Sequence, residues 1–558
     1  MNDEYDYIVV GAGSAGCVLA ERLSQNAKMR VCLIEAGPAD ASALINTPLG
    51  VVGLIGSPKY NWCFNTEQEP NLNQRKLFWP RGKTLGGSSS INAMVYMRGH
   101  ASDYDDWAAI VEDKGWSYDA LLPIFKAHEN NERGADAFHG TGGMLNVADL
   151  HDPNPLTAVY IEAAQQAGIP ANKDFNGASQ EGVGLHQVTQ KAGRRWSSAR
   201  AFLDGAKSRQ NLTIMTGARV TRVLLDGKRA VGVELNVSKE HGKRRVLRCV
   251  QEIVLCGGTV NTPQTLLLSG IGPREELVKH GIPVRHELPG VGRNLQDHLD
   301  ATVMIRDRSK RGIGLALSFI PRAIVGLFRY LFRRQGFLAS NIAEGGGFAK
   351  LTPQSERPEV QFHFLPTYLK DHGRKLVPGY GCTLHVCQLR PKSRGHIGLK
   401  SADPMDDPLI FANYLEHQDD LNELVNGVRL ARRIFAAPAF RNIHGGEVEP
   451  GAEAQTDEEI VADIRKRAET IYHPVGTCKM GIDRMAVVDA SLRVRGIMGL
   501  RVADASIMPT LIGGNTNAPV MVIAEKAARM ILAQLQQSSS TMPNAVTEED
   551  TERVAKMA

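Results

Sequence analysis

Apolar residues recur along this chain at three kinds of spacing, and each predicts an element. Tyr7 to Val10 is a continuous β-branched run and Val31 to Ile34 a second, while Val18, Leu19 and Leu23 between them fall at helical spacing. The predicted order is strand, tight turn, helix, strand. Late in the chain Val520, Ile523, Ala524, Ala527 and Ile531 share one helical face, with Pro519 suited to the first turn and Asn515 and Asn517 ahead as caps. The stretch from Ile313 to Phe332 is apolar but interrupted by Pro321, Arg322 and Arg329, so it fails as a transmembrane span. As a helix from Pro321 it sets Arg322, Arg329 and Arg333 on one face, with Ile324, Val325, Phe328, Leu331 and Phe332 largely opposite. Such a helix either packs onto a substrate domain or lies in a membrane interface.

Glycines give the first strand and helix a chemical meaning. Gly11 permits the turn, Gly13 lets backbone approach a pyrophosphate, and Gly16 allows the helix to pack on the strand. Glu35, at the end of the second strand, is placed to accept hydrogen bonds from ribose hydroxyls and disfavours a 2′-phosphate. This fingerprint does not choose between NAD and FAD. The segment RGKTLGGSSSINAMVYMRG, 81–99, does, because it supplies small residues and backbone N–H groups while Asn92 offers an amide to a flavin ring edge.

With 558 residues, two joined domains are expected. The composition is that of a soluble globular enzyme, and the net charge of +5 without a basic aromatic stripe argues against a nucleic-acid partner. The basic run His241 to Arg248 is expected on a solvated hairpin face. Eight cysteines form no CxxC pair and suit reduced buried thiols; neither disulfides nor a metal are expected, and His363, His372, His385 and His396 show no ligand spacing and are expected on substrate-domain strands or the pocket wall. The N-terminus has no secretory pattern, so a cytoplasmic location is expected. Residues 538–558 read as a loose tail.

Residues 81–99 followed by Asp105, together with GTVNTPQTLLLSGIG at 258–272, resemble both signature stretches of the glucose-methanol-choline oxidoreductases, and the resemblance runs from about Tyr5 to about Leu535. Thr265 stands where an aliphatic residue is usual. The resemblance implies FAD held by Gly11, Gly13, Ser14, Gly16 and Glu35 on the ADP half, Val220 at the adenine, Gly86 and Asn92 on the flavin half, and Asp504 near the ribityl phosphate. Ile91 stands where some members attach the flavin through histidine, which implies non-covalent FAD.

Alcohol oxidation by a flavin needs a base for the hydroxyl proton, with hydride passing from carbon to N5. The resemblance assigns the base to His473 in IYHPVGTCKMG and its partner to Asn515. Within the family the chain is most similar to membrane-associated alcohol dehydrogenases of bacterial alkane degradation, with choline dehydrogenases close. Glu344 does not separate them by sequence. The expected activity is oxidation of medium-chain primary alcohols with electrons passed to quinone, on the cytoplasmic face of the inner membrane, with 313–333 as the contact. Choline oxidation is the nearest alternative; a flavin-containing lyase, a fatty-acid photodecarboxylase, a non-catalytic flavoprotein and an NAD-dependent dehydrogenase are more remote.

The expected fold is α/β with two domains: a Rossmann-like FAD domain with a mainly parallel sheet, from 1–155, 215–310 and 465–537, and a substrate domain with an antiparallel sheet flanked by helices, from 156–214 and 311–464.

Overall fold

The computed structural model describes residues 3–237 and 243–540. Its first sheet is built on β1 (Glu4–Val10), which lies parallel between β2 (Val31–Glu35) and the C-terminal half of a long strand, while β3 (Leu212–Thr216) extends the sheet beyond β2. β4 (Ala218–Asp226), β5 (Arg229–Val237) and β6 (Lys243–Leu255) form an antiparallel meander, and β6 is the long strand that joins it to β1. Leu500–Val502 adds a short parallel strand to the end of β6. β1 and β2 read as unbroken apolar runs because helices and loops cover both faces; Val31 to Leu33 have no exposed surface. Helix α1 (Ser14–Ser24) follows β1, and α2 (Gly258–Leu268) follows β6, so both begin at the same edge of the sheet. That edge is where a parallel α/β sheet receives its ligand.

The second sheet is antiparallel. β7 (Leu299–Asp307) lies inside it, β8 (Gly345–Ala349), β9 (Val360–Leu365) and β10 (Gly379–Gln388) follow one another across it, β11 (His444–Glu449) flanks β7, and Gly182–Leu185 closes the far edge. Helix α3 (Ile320–Arg333) is attached to its rim, and α4 (Gln418–Ala436) packs across β10 and β7 through Leu421, Leu424, Val428 and Ile434. Each sheet has its own hydrophobic core. The molecule is therefore a two-domain α/β fold, with a mainly parallel nucleotide sheet and an antiparallel second sheet.

The strands cross the boundaries drawn from sequence. β7 falls within 215–310 yet pairs in the second sheet; β3 begins before 215 yet pairs in the first; and Phe64, Leu72, Leu77 and Trp79, from the first segment, are buried in the second core. Pairing partners far apart in sequence decide these memberships, and no local pattern carries them. The final helix α5 (Asn517–Ser540) also differs from expectation. Met521 and Val522, off the predicted face, are as buried as Ile523 and Ala524, because α5 lies between α1 and the helix Tyr118–His128. It continues to Ser540, past the expected start of the tail, and 541–558 lie outside the described residues. Lys243 to Arg248 begin β6 and pair with β5; His241 and Gly242 lie outside the described residues.

Candidate active site

A cavity of about 350 Å³ runs between the two sheets, and Gly11, Gly13, Ser14, Glu35, Asn92, Val220, His473, Asp504 and Asn515 all line it. Its nucleotide end follows from local backbone chemistry. Gly11 turns at φ +100°, where a side chain would meet the Cys256 carbonyl at 2.5 Å. A Cβ on Gly16 would lie 1.9 Å from the Gly11 carbonyl, which is why the helix can sit so close to the strand. Gly13 faces the cavity and has no protein atom nearer than 4.0 Å to its Cβ position, the space a pyrophosphate requires. The Glu35 carboxylate accepts from Ala12 N at 3.0 Å and Gly37 N at 2.8 Å, and burial raises its pKa to about 7. Asp504 caps the start of α2, accepting from Gly258 N at 2.8 Å and Thr262 Oγ1 at 2.6 Å.

Two assigned positions act only through the backbone. Gly86 does not line the cavity; its neighbours Gly87 and Ser88 do, while Gly86 takes φ +84° and donates to Ala12 O at 2.8 Å, tying this loop to the first. Gly16 is likewise a packing contact. A residue not singled out from sequence holds the same loop: Arg195, fully buried, donates to Ile45 O, Ser89 O, Asn92 O and Asn92 Oδ1 at 2.6–3.1 Å. Ile91 lines the cavity beside Asn92 and offers no nucleophile.

The other end of the cavity carries a chain of hydrogen bonds whose direction is fixed from its far terminus. His298 Nε2 lies 2.9 Å from the Leu389 carbonyl, which only accepts, so that nitrogen carries the proton. His298 is neutral, since burial pushes its pKa down to about 3, and its Nδ1 is therefore an acceptor. His473 Nδ1, 3.0 Å away, must be the donor. The lone pair of His473 Nε2 consequently faces Asn515 Nδ2 at 3.1 Å. The Asn515 amide is oriented in turn by Gln361 Nε2, which donates to its Oδ1 at 3.1 Å. His473 is buried, and desolvation, with His298 and Arg81 nearby, holds its pKa well below the ordinary value. Its loop is anchored by Asp297 Oδ1, which accepts from His473 N at 2.8 Å, and by Arg81, which donates to Tyr472 O at 2.6 Å.

Sequence reasoning singled out His473 and Asn515, which the structure brings to 3.1 Å of each other, and did not single out His298 and Gln361 beside them or Arg195 beside Asn92. Of the four further histidines, His363 and His385 line the cavity; His385 is bonded to Asp300, whereas both ring nitrogens of the buried His363 lack a hydrogen-bond partner. His396 stacks on Phe411 at 4.6 Å instead, and the side chain of His372 lies outside what is described. Among the described residues no cluster of ligating side chains could hold a metal.

Residues 5–300 and 391–524 match the two family profiles described as GMC oxidoreductase. The chain belongs to the GMC oxidoreductase family. This GMC oxidoreductase is 56% identical over 539 residues to the alcohol dehydrogenase [acceptor] of Pseudomonas putida, covering 96% of this chain and 97% of that protein. It is 45% identical to the mitochondrial choline dehydrogenase of Homo sapiens, covering 95% and 90%. Among solved structures, pyridoxine 4-oxidase from Mesorbium loti superposes with a TM-score of 0.85 at 32% identity over 95% of this chain and 99% of that one, and Aspergillus oryzae formate oxidase with 0.88 at 26% over 96% and 99%. The GMC oxidoreductase is an FAD-dependent alcohol dehydrogenase, and the cavity fits its cofactor: open Gly13 and Gly258 leave room for phosphate, Glu35 lines the same end, and the hydrogen-bonded His473 and Asn515 line the other.

Proposed function

We propose that the substrates are medium-chain primary aliphatic alcohols, oxidised to aldehydes, with electrons passed to a quinone-type acceptor and FAD held non-covalently by the glycine and serine loops. The observation that carries the substrate reading is the far end of the cavity. Val51, Val52, Ile55, Met94, Val95, Leu365 and Leu369 line it, and among the described residues the only carboxylates on the cavity, Glu35 and Asp504, are engaged at the nucleotide end. Glu344, the carboxylate a choline site needs, is turned away: it accepts from Ser340 Oγ and Asn154 N at 2.6 Å and from Thr157 Oγ1 at 2.8 Å. Trp62, an aromatic wall, already has Lys83 and Arg219 at 4.7 and 5.0 Å from its ring. A trimethylammonium group has no counter-charge there, whereas an alkyl chain has an apolar sleeve.

FAD, when bound, accepts the hydride and supplies the oxidising power. The protein handles the proton. An alcohol hydroxyl that takes the place of Asn515 Nδ2 on His473 Nε2 passes its proton to that lone pair, and His298 keeps the other nitrogen occupied so that the correct tautomer is present before substrate arrives. Asn515 Nδ2 is the donor that holds the oxygen as charge develops on it. Peripheral contact of 313–333 with the cytoplasmic face of the inner membrane completes the reading.

Anaerobic flavin reduction by butanol, octanol, dodecanol, benzyl alcohol and choline tests it. Octanol or dodecanol should be fastest; choline ahead by a wide margin would replace alkanol with choline. Acid precipitation should leave a colourless pellet, and a yellow one would show a covalent tether.

A further inference from the structure

His473 and Asn515 both stand on irregular backbone, outside any helix or strand, so their 3.1 Å contact has to be imposed by what surrounds them. Three strings of contacts reach it, and all three begin at Arg390. The first runs through the backbone. The carbonyl of Leu389, one peptide before Arg390, holds His298 Nε2 at 2.9 Å, and His298 holds His473 Nδ1 at 3.0 Å. The second runs through Pro358, two residues before β9, whose carbonyl accepts from Arg390 Nη1 at 2.6 Å. Gln361, the second residue of β9, then donates to Asn515 Oδ1 at 3.1 Å. The third runs through Asp103, in the first turn of the helix Ala101–Val111. Its Oδ1 accepts from Arg390 Nε at 2.9 Å, and its Oδ2 accepts from Gly513 N at 2.7 Å, two residues before Asn515.

The guanidinium also lies against Gly513 itself. A Cβ there would meet Arg390 Nη2 at 2.3 Å, so the loop carrying Asn515 approaches as closely as it does only because this position has no side chain. The Gly513 carbonyl is held from the other side by Gln180 Nε2 at 2.7 Å. Asp103 is buried and takes a second cation, Arg357, at 3.1 Å. Neither Arg390 nor Asp103 lines the cavity. A buried ion pair adds little stability, since apolar residues of like volume often serve as well. What this one supplies is direction: a planar guanidinium whose Nε and Nη1 face different partners cannot turn without breaking one of them.

We propose that Arg390, fixed by Asp103, is the positioning residue that sets His473 and Asn515 at their working separation. This rests on the reading of those two side chains as base and partner.

The test is anaerobic stopped flow on the purified FAD-loaded enzyme, with the limiting rate of flavin reduction read per bound flavin and the dissociation constant of the alcohol read from its concentration dependence. Arg390→Lys keeps the positive charge beside Asp103, but its single ammonium cannot reach Asp103 and the Pro358 carbonyl together. The limiting rate should fall by about 10- to 10²-fold while the dissociation constant stays within about threefold. Asp103→Asn, of the same shape without the charge, should lose about as much. Gly513→Ala leaves both charges in place and only displaces the guanidinium from the loop, and should also slow reduction by about tenfold or more. Octanol and choline are both tried, and the fold-loss should be equal with either donor that reduces the wild type, because the hydroxyl is common to them.

A double variant separates alignment from support of the fold. In a His473→Ala background Arg390→Lys should change the residual rate by less than about twofold, since no base is left to align. A residue that only held the fold together would cost the same factor in both backgrounds. Rates within about twofold of the wild type in both Arg390→Lys and Gly513→Ala overturn the proposal, as does a loss undiminished by His473→Ala. If His473→Ala itself is reduced at the wild-type rate, the base reading falls and takes this one with it. If His473→Ala is slow and Arg390→Lys is not, the positioning alone falls.

Discussion

His473 depends on a neighbour for its proton state. In isolation an imidazole offers either nitrogen; here the Leu389 carbonyl, acting through His298, leaves Nε2 bare. Replacing His473 with Ala should slow flavin reduction by about 10²-fold or more, read in anaerobic stopped flow. His298→Phe keeps bulk but frees the tautomer, and should slow reduction by about tenfold with flavin binding unchanged. The acid limb carries a sign. Because the pKa of His473 is held well below 6.5, the neutral base predominates from 6.5 upward, so the reduction rate should stay level there and fall only on the acid side. A rate that climbs tenfold between pH 6.5 and 7.5 would contradict it. The sequence displays His473 in a recognisable string but not His298, 175 positions away in a polar loop without periodicity. Glu344 shows the same limit: its identity is legible, the direction its carboxylate faces is not.

Among elements, α5 illustrates how a buried ion pair fixes a helix that reaches the site. Glu525 accepts from Arg22 on α1 at 2.6 Å and from His128 at 2.9 Å. Desolvation would raise the Glu525 pKa, but these donors outweigh it and hold the carboxyl far below the usual range. Glu525→Ala should cost about 2 kcal/mol in urea unfolding at pH 7, since Arg22 loses one of its two carboxylate partners and keeps only Glu21 at 2.7 Å. A folded pKa below the unfolded value means the stabilisation is present above pH 4.5 and lost as pH falls through the folded pKa, so the penalty should shrink in acid. The first turn of α5 supplies Asn517 and Val520 to the cavity, so the variant should also bind FAD more weakly in apoprotein titrations. Local apolar spacing foretold that α5 and α3 are helices. It did not show that Met521 and Val522, off the predicted face of α5, are buried as well, and left open for α3 whether anything covers the apolar face, because burial is set by neighbours that arrive from elsewhere in the chain.

For the molecule as a whole, the cavity is walled by both domains, so FAD binds the folded state and not the open chain. Thermal unfolding should shift with FAD concentration, by about 2.7 kcal/mol at a hundred times the dissociation constant. An unfolding temperature indifferent to added FAD in the apoprotein would contradict a dissociable cofactor. The two-sheet α/β architecture was legible from motif order and from the resemblance. Domain membership was not, since β7 and β3 find their partners across long loops.

The short strand Leu500–Val502 has a consequence for synthesis. It pairs with residues 253–255 of β6, and α5, which covers α1, comes later still. At cellular elongation rates of about 5–20 residues per second, the end of β6 waits roughly 10–50 s on the ribosome before its neighbour emerges. During that interval the newborn chain presents an open strand edge and an uncovered helix, so chaperone capture should concentrate on nascent chains longer than β6 and end once α5 has emerged.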